Sequence, residues 1–213
     1  MRVISGALKG RIINFIKNSN TRPLKDSVKE SIFNILDHSN LLKTEIKNSN
    51  ILDLYSGIGS FGIECISRSA KKVTFVEYNI RSAKILKENL IKLSILDKSI
   101  VYNVTAENFL SKKNNEKFDI FFLDPPFADN QFLNNLELIR NYRIFSKNHV
   151  VIIHREIKSN DDLSSILEIT QTKNYGRSKI LFGFFKWENF LYQFLLVQQL
   201  VDQKDLYSII FPK

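Results

Sequence analysis

The sequence predicts an α/β fold in which helices cover both faces of a mostly parallel sheet. From residue 51 onward, short apolar runs alternate with stretches of helical periodicity, a pattern typical of βαβ units. The predicted strands are 51–54, 73–76, 100–104, 120–123 and 150–154, and the predicted helices are 60–68, 79–93, 129–140 and 161–168. Such sheets bind their ligands beyond the carboxyl ends of the strands, where the strand order reverses.

The N-terminal segment precedes this unit. Apolar and polar residues alternate in it on either side of Gly6 and Gly10, which predicts a hairpin. The basic side chains that the hairpin would carry are Arg2, Lys9 and Arg11. Such a hairpin could grip a polyanion, and the alternative is that it merely covers the edge of the sheet. A helix should follow, because apolar residues recur at helical spacing over 28–36 and Ser27 with Glu30 fits a capping box.

The first predicted strand leads into a glycine-rich turn. Gly57, Gly59 and Gly62 have G-x-G-x-x-G spacing before a predicted helix. Glycine lets the backbone approach a ligand closely, and free amides at the helix start can donate hydrogen bonds to it. Glu77 follows the second predicted strand, twenty residues after Gly57, where it can accept hydrogen bonds from ribose hydroxyls. A nucleotide-like ligand is therefore predicted, with NAD and S-adenosylmethionine both open at this point.

Two acidic residues distinguish these ligands. Asp53 lies at the end of the first strand, four residues before Gly57, and Asp124 begins an Asp-Pro-Pro-Phe motif at the end of a later strand. A carboxylate near the glycine turn can pair with the cationic amino-acid end of S-adenosylmethionine, which NAD lacks. Dinucleotide dehydrogenases need neither acid, so S-adenosylmethionine is favoured.

The Asp-Pro-Pro-Phe motif suits the methylation of an exocyclic amino group on a base. The lone pair of such a nitrogen is delocalised into the ring, so an enzyme must hold and polarise it. The Asp124 carboxylate and the Pro125 carbonyl can each accept one N–H, while Pro125 and Pro126 fix the turn without donating competing N–H groups. The ring of Phe127 can stack on a base that has left its own stack. We therefore predict that these four residues form the catalytic set.

Three N-terminal features complete the pattern: a basic opening over 1–11, the triplet Thr21-Arg22-Pro23 and the predicted helix over 26–36. With them, the chain resembles the RsmD-type 16S ribosomal RNA guanine-N2 methyltransferases over roughly residues 1–185. The resemblance implies a Rossmann-like class I methyltransferase fold with seven strands, whose final antiparallel hairpin corresponds to 172–185. It also implies methyl transfer to the N2 of one guanine, with 16S rRNA in the small ribosomal subunit or its assembly intermediate as the partner.

The resemblance further implies the residues of the site. Those expected to bind S-adenosylmethionine are Asp53, Tyr55, Gly57, Gly59, Gly62, Glu77, Tyr78, Thr105 and Ala106. Those expected to contact RNA are Arg2, Lys9, Arg11, Thr21, Arg22 and Pro23. The chain departs from the family at Ile58, where Ser or Thr is usual, and at Thr105, where an adenine-contacting Asp is common. The backbone amide of Ala106 can serve the adenine instead, and an active enzyme is expected.

Composition agrees with a polyanionic partner. Lys and Arg total 31 against 22 Asp and Glu, and the resulting net charge of +9 favours phosphate contacts. The single cysteine, Cys65, excludes an intrachain disulfide framework and is expected to be a packing residue. His38, His149 and His154 show no metal-ligand spacing, so no metal is expected. No signal peptide opens the chain, which makes the cytoplasm the expected compartment.

We expect one catalytic core over 46–185, extended by an RNA-binding segment over 1–45 and a tail of unknown role over 186–213. The tail has apolar residues at spacings compatible with an amphipathic helix, but it is too interrupted to span a membrane. Docking on the core is the preferred role of the tail, and a dimer contact or disorder are the alternatives. A monomer without membrane association is expected.

Two other functions remain open. Related D/N-P-P-F/Y motifs also serve amino groups of DNA bases and of protein side chains, so the motif alone leaves a DNA or protein amino-group methyltransferase possible. A non-catalytic ribosome assembly factor would keep the fold and bind RNA with little or no S-adenosylmethionine. The Thr21-Arg22-Pro23 triplet and the lack of a separate target-recognition domain favour ribosomal RNA methylation.

Overall fold

The computed structural model describes residues 1–15, 24–112, 116–126, 129 and 131–186. Its strands are β1 (Asn50–Leu54), β2 (Lys72–Val76), β3 (Ser99–Tyr102), β4 (Phe118–Leu123), β5 (Phe145–Glu156), β6 (Leu167–Tyr175) and β7 (Ser178–Phe185). Its α-helices are α1 (Asp26–His38), α2 (Ser60–Ser67), α3 (Ile80–Lys92), α4 (Ala106–Leu110) and α5 (Gln131–Tyr142). A short 3₁₀ helix, Leu96–Lys98, precedes β3.

The strands form one seven-stranded sheet in the order β3-β2-β1-β4-β5-β7-β6. Strands β1 to β5 are parallel, whereas β7 pairs antiparallel with both β5 and β6. From β1 the chain first builds outward through β2 and β3, then crosses to β4 and β5 on the other side of β1. The strand order therefore reverses between β1 and β4, and the predicted fold class is confirmed.

Successive strand residues point to opposite faces and supply two apolar layers. Ile51, Phe75 and Phe122 belong to the layer that α1, α2 and α3 cover, whereas their neighbours Leu52, Val76 and Phe121 face α4 and α5. These strands read as continuous apolar runs because both faces are covered. On the first face, the ring of Phe61 in α2 stacks on that of Phe122, with 4.1 Å between ring centroids.

Two local predictions are wrong. The helix predicted over 161–168 does not form, because Leu167 opens β6 and pairs with Phe185 of β7. The buried Leu163, Ile166 and Leu167 have a spacing compatible with a helix, yet the segment forms a turn before β6, in which the N–H groups of Ile166 and Leu167 donate to the Leu163 carbonyl. The predicted capping box also fails, since α1 begins at Asp26 with Lys25 at the N-cap position and no side-chain cap. The antiparallel hairpin expected over 172–185 does form, as β6 and β7, and it turns at Gly176 with φ +59°.

The N-terminal segment forms the predicted hairpin in a minimal form. Arg2 and Ile12 make an isolated antiparallel bridge, and the Val3 N–H donates to the Arg11 carbonyl at 3.0 Å. The predicted basic side chains, Arg2, Lys9 and Arg11, are all exposed. The segment is tied to α2 through the buried Glu64, whose carboxylate accepts from the N–H groups of Ile4 and Ser5 at 2.8 Å each.

Some of the predicted features lie outside the described residues, and others can be compared with the structure. Thr21, Arg22 and Pro23 lie outside the described residues, as does the tail from residue 187 onward. Tyr175 in β6 has its hydroxyl hydrogen-bonded to that of Ser31 in α1. In the part of the chain that the structure describes, no helix has the length and apolar character needed to cross a bilayer.

Candidate active site

Three carboxylates converge at the carboxyl ends of the central parallel strands. Asp53 lies in β1 and is in register with Phe75 of β2 and Phe122 of β4. Glu77 and Asp124 each follow two residues after those partners, just past the ends of their strands. Both carboxylates contribute to raising the pKa of Asp53. The predicted convergence of these acids at the point where the strand order reverses is therefore present.

Asp53 is a buried acid with incomplete hydrogen bonding. The residue is 1% exposed, and Oδ2 accepts from the Gly62 N–H in α2 at 3.1 Å. Among the described residues, Oδ1 has no hydrogen-bond partner. Burial raises the pKa of Asp53 well above its ordinary value, although the Gly62 N–H opposes the shift. A buried carboxylate oxygen without a partner is costly, so this atom is poised to accept from a ligand donor.

The glycine turn presents backbone beside Glu77. Gly57 has φ +56°, a left-handed conformation that favours glycine, and a Cβ placed there would meet nothing within 4 Å. Its N–H donates to Glu77 Oε2, and the Asn79 N–H donates to Oε1, both at 2.7 Å. Burial raises the pKa of Glu77, and these two N–H groups oppose that shift. The turn and the acid thus form one rigid unit with an open side.

The other two glycines serve packing. Gly59 is the N-cap residue of α2 with φ +84°, and a Cβ there would lie 2.3 Å from Cδ1 of Leu86. A Cβ at Gly62 would lie 2.3 Å from Cε1 of Phe75 in β2. Gly59 therefore allows the start of α2 to pack against α3, and Gly62 allows α2 to lie close against β2, which brings the Gly62 N–H to Asp53.

The ends of β2 and β3 form one wall. Asn103, which sequence reasoning missed, donates from Nδ2 to the carbonyls of Glu77 at 2.8 Å and Tyr78 at 3.1 Å. Tyr78 itself is 62% exposed. Thr105 is the N-cap of α4, where its hydroxyl accepts from the Asn108 N–H at 3.1 Å, and Ala106 is the first helical residue. The Ala106 N–H belongs to the first turn, where helices leave amides unpaired.

Tyr55 turns away from this wall. It has φ +62°, a rare conformation for a residue with a side chain, and directly follows β1. Its hydroxyl accepts from Asn135 Nδ2 of α5 at 2.7 Å. Burial raises the pKa of Tyr55, and the nearby Asp129 adds to the shift. The hydroxyl therefore stays protonated and links the end of β1 to the second helical layer.

The Asp-Pro-Pro turn after β4 is held by two neighbouring residues of β5. Asp124 Oδ1 is 2.8 Å from His154 Nδ1. The Pro126 carbonyl accepts from Arg155 Nη1 at 3.1 Å and from the Asp129 N–H at 2.8 Å. Phe127, the predicted stacking ring, lies outside the described residues. Sequence reasoning considered His154 only as a metal ligand and missed Arg155, although a strand predicted to end at 154 already placed both residues at this edge.

The donor set fits a cationic nucleoside ligand. Three acids surround the end of β1, and Asp124 and Glu77 both act on Asp53 as negative charges, so a pyrophosphate would meet repulsion from the ionised carboxylates here. S-adenosylmethionine carries a sulfonium and an ammonium group, which suit an unpartnered carboxylate oxygen. Among the described residues, no cluster of His, Cys, Asp or Glu is arranged to hold a metal ion. The residues present therefore fit S-adenosylmethionine.

This strand order, the glycine turn after β1 and the acids after β2 and β4 define a class I S-adenosylmethionine-dependent methyltransferase. Residues 1–184 match the profile of the family described as Conserved hypothetical protein 95. Ribosomal RNA small subunit methyltransferase D of Buchnera aphidicola is 35% identical over 156 residues, which are 73% of this chain and 78% of that protein. The chain belongs to this family, the RsmD-type methyltransferases.

Further relatives agree with this assignment. Ribosomal RNA small subunit methyltransferase D of Haemophilus influenzae is 35% identical over 158 residues, which are 73% of this chain and 79% of that protein. Among solved structures, a Haemophilus influenzae protein named as a methylase has a TM-score of 0.70 at 28% identity, covering 87% of this chain and 98% of its own. An Escherichia coli structure with a TM-score of 0.76 at 24% identity, covering 88% of this chain and 99% of its own, shows the same fold.

Proposed function

We propose that this methyltransferase transfers a methyl group to the exocyclic N2 of one guanine in the 16S rRNA of the small ribosomal subunit. The observation that carries the proposal is the arrangement of Asp124, whose charge contributes to raising the pKa of the buried Asp53 and which has one oxygen engaged by His154. A carboxylate held in this way can accept one N–H of an amino group. The relatives named ribosomal RNA small subunit methyltransferase D support rRNA as the polymer.

Asp53, Glu77 and the Gly57 turn are the proposed cofactor-binding residues. The unpartnered Oδ1 of Asp53 can accept from the ammonium group, and each Glu77 oxygen keeps a second lone pair for a ribose hydroxyl. Tyr78 and the Ala106 N–H adjoin the ends of β2 and β3, where they can flank the adenine. The hydroxyls of Tyr55 and Thr105 accept hydrogen bonds from Asn135 Nδ2 and the Asn108 N–H, which fixes both side chains, and both remain proposed cofactor-binding residues.

The Asp-Pro-Pro-Phe motif is the proposed acceptor site. The Asp124 carboxylate and the Pro125 carbonyl accept the two N–H bonds of the guanine amino group, while Phe127 is proposed to stack on the flipped base. These two acceptors raise electron density on N2 and aim its lone pair at the methyl carbon. Much of the rate acceleration then comes from positioning.

The transfer forms a bond between guanine N2 and the methyl carbon while the bond between that carbon and sulfur breaks. S-adenosylmethionine supplies the electrophilic methyl group, and the electron pair of the broken bond remains on sulfur as a neutral thioether. The nitrogen, now bearing the methyl group, gives up one proton, for which Asp124 is the adjacent acceptor. An oxygen that takes up the charge developing on nitrogen lowers the barrier without any covalent enzyme intermediate.

The exposed N-terminal hairpin is proposed to contact the RNA through Arg2, Lys9 and Arg11, joined by Thr21, Arg22 and Pro23. Its support on the core is direct: the Asn14 N–H donates to Asn89 Oδ1 at 2.8 Å, and Asn89 Nδ2 donates to the Ile58 carbonyl at 3.3 Å. RNA bound by the hairpin is thereby coupled to the glycine turn. We expect the protein to act as a monomer on the small subunit or its assembly intermediate in the cytoplasm.

The test is transfer of labelled methyl from S-adenosylmethionine to small subunits lacking the modification, with naked 16S RNA and duplex DNA in parallel. We expect label in the RNA of the subunits and none in DNA. Asp124→Ala should abolish transfer while the affinity for S-adenosylmethionine stays within about twofold, because Asp124 acts on the acceptor. The matched control is Asp119→Ala, at the opposite end of β4. Loss of cofactor binding together with transfer in Asp124→Ala would contradict this assignment, and label confined to DNA would overturn the proposed substrate.

A further inference from the structure

The Asp-Pro-Pro turn is braced by β5, a strand 30 residues away along the chain. The parallel pairing of β4 with β5 ends at Leu123 and Ile153, so Asp124 and His154 occupy the next positions on neighbouring strands. The backbone of His154 is fixed on its other side by the antiparallel pairing with Ile180 of β7. His154 is therefore presented from the interior of the sheet, where its position is set by two partner strands.

The contact between His154 and Asp124 leaves one carboxylate oxygen for a substrate. Oδ1 lies 2.8 Å from His154 Nδ1, and no described residue donates to Oδ2. A carboxylate can only accept hydrogen bonds, so we assign the proton of this contact to Nδ1. An aspartate carboxylate otherwise rotates in a broad, roughly two-fold potential. The imidazole thus selects one orientation, in which Oδ2 can accept the guanine N–H.

Arg155 braces the same turn from the next position of β5. Its side chain is 2% exposed, and the guanidinium forms a fork on Asp161, with Nε at 2.9 Å and Nη2 at 3.1 Å from the carboxylate oxygens. The remaining nitrogen, Nη1, donates to the Pro126 carbonyl at 3.1 Å, and the guanidinium carbon lies 4.3 Å from the Phe132 ring centroid. A planar, rigid fork of this kind holds its partners more firmly than a lysine ammonium can.

We propose that His154 and Arg155 are positioning residues for methyl transfer, His154 by orienting the Asp124 carboxylate and Arg155 by fixing the Pro126 carbonyl. This inference rests on the proposed function of Asp124 as the acceptor of a guanine N–H. Neither residue touches the reacting atoms in this assignment. Substitution of either residue should therefore lower kcat, because a misoriented Asp124 carboxylate or Pro126 carbonyl slows the chemical step. The KM for RNA and the affinity for S-adenosylmethionine should stay nearly unchanged.

The variants His154→Asn and His154→Leu separate hydrogen bonding from packing. The Asn amide nitrogen lies close to the position of the imidazole Nδ1 and keeps the donor, whereas Leu fills the space without one. We expect kcat within about threefold of wild type for His154→Asn and a loss of roughly 10- to 100-fold for His154→Leu, as for one hydrogen bond to a charged group. Arg155→Lys keeps the charge but not the fork, and it should also lose kcat at unchanged KM.

The experiment measures kcat and KM on small subunits, S-adenosylmethionine affinity by calorimetry, and thermal unfolding for each variant. A fourth readout is long-range ¹H–¹⁵N NMR of the His154 ring, which should show a proton on Nδ1 whose shift changes in Asp124→Asn. Equal kcat loss in His154→Asn and His154→Leu, a rise in KM alone, or loss of cofactor binding would overturn the proposal. So would a bare Nδ1 in the active protein. An inactive wild type with an intact NMR contact would instead overturn the proposed function, and with it the role given to His154.

Discussion

Replacing Asp53 with Asn probes the electrostatic basis of cofactor binding. The substitution keeps the acceptor for the Gly62 N–H but removes the charge and the unpartnered Oδ1. A hydrogen bond to a charged group contributes about 1.5–3 kcal/mol, which corresponds to roughly a 10- to 150-fold rise in the Kd for S-adenosylmethionine. Titration calorimetry measures this constant directly. Adenosine, which lacks the cationic amino-acid part of S-adenosylmethionine, should bind wild type and Asp53→Asn with the same Kd.

The same variant should be more stable than wild type without ligand. Burial raises the pKa of Asp53 in the folded protein, so the native state binds more protons than the unfolded state above the ordinary pKa of aspartate. Stability of the wild type therefore falls as pH rises through that window. An uncompensated buried polar group costs about 1–3 kcal/mol, and about 1 kcal/mol shifts Tm by roughly 2–4 °C in a chain of this size. The gain of Asp53→Asn should be larger at pH 8 than at pH 5.

Asp119→Asn is the matched control, since Asp119 also accepts one backbone N–H, from Asn50 at 2.8 Å, but at the amino end of β4. In Asp119→Asn, the Kd for S-adenosylmethionine and the pH dependence of Tm should both stay as in wild type. Wild-type affinity in Asp53→Asn, or a lower Tm without ligand at pH 8, would refute the assignment of Asp53 as the partner of a cationic ligand.

Two further predictions concern packing and pH. Gly62→Ala should destabilise the protein by about 1–3 kcal/mol, because its Cβ would lie 2.3 Å from Phe75 Cε1; an unchanged urea midpoint would contradict this. Burial lowers the pKa of His149, whose neutral ring bonds the Ser146 carbonyl and the Phe185 N–H. Because the unfolded chain binds more protons, this contribution is present above about pH 6.5 and is lost as pH falls below that. His149→Gln should reduce the loss of Tm between pH 7 and pH 5, and an equal loss in both proteins would contradict the assignment.

The sequence predicted the central strands well because parallel strands covered on both faces are continuous apolar runs. Their positions also placed Asp53, Glu77 and Asp124 correctly, since each acid follows such a run within a few residues. The segment before β6 was mispredicted as a helix because the spacing of Leu163, Ile166 and Leu167 is compatible with one. Only the pairing of Leu167 with β7 shows that a strand begins there. Helix α4, with five residues, is too short to show periodicity.

The contacts between side chains were less accessible to sequence reasoning. The pairing of Asp124 with His154 depends on β4 and β5 being neighbours, and thirty residues separate the two side chains along the chain. The role of Thr105 as the N-cap of α4, where its hydroxyl accepts from the Asn108 N–H, was also missed, and its contact with the adenine stays a prediction. The roles of the three glycines also divide, since Gly57 borders open space while Gly59 and Gly62 pack against side chains.

The proposed role of Asp124 is to present an exocyclic amino group of guanine for methylation. The most direct measurement is mass-spectrometric analysis of nucleosides from small-subunit RNA methylated by the wild-type protein, with Asp124→Ala in parallel. We predict N2-methylguanosine as the product, absent with Asp124→Ala. Methylation at a ring nitrogen, at a ribose hydroxyl or on another base, with the same product in the variant, would contradict the account.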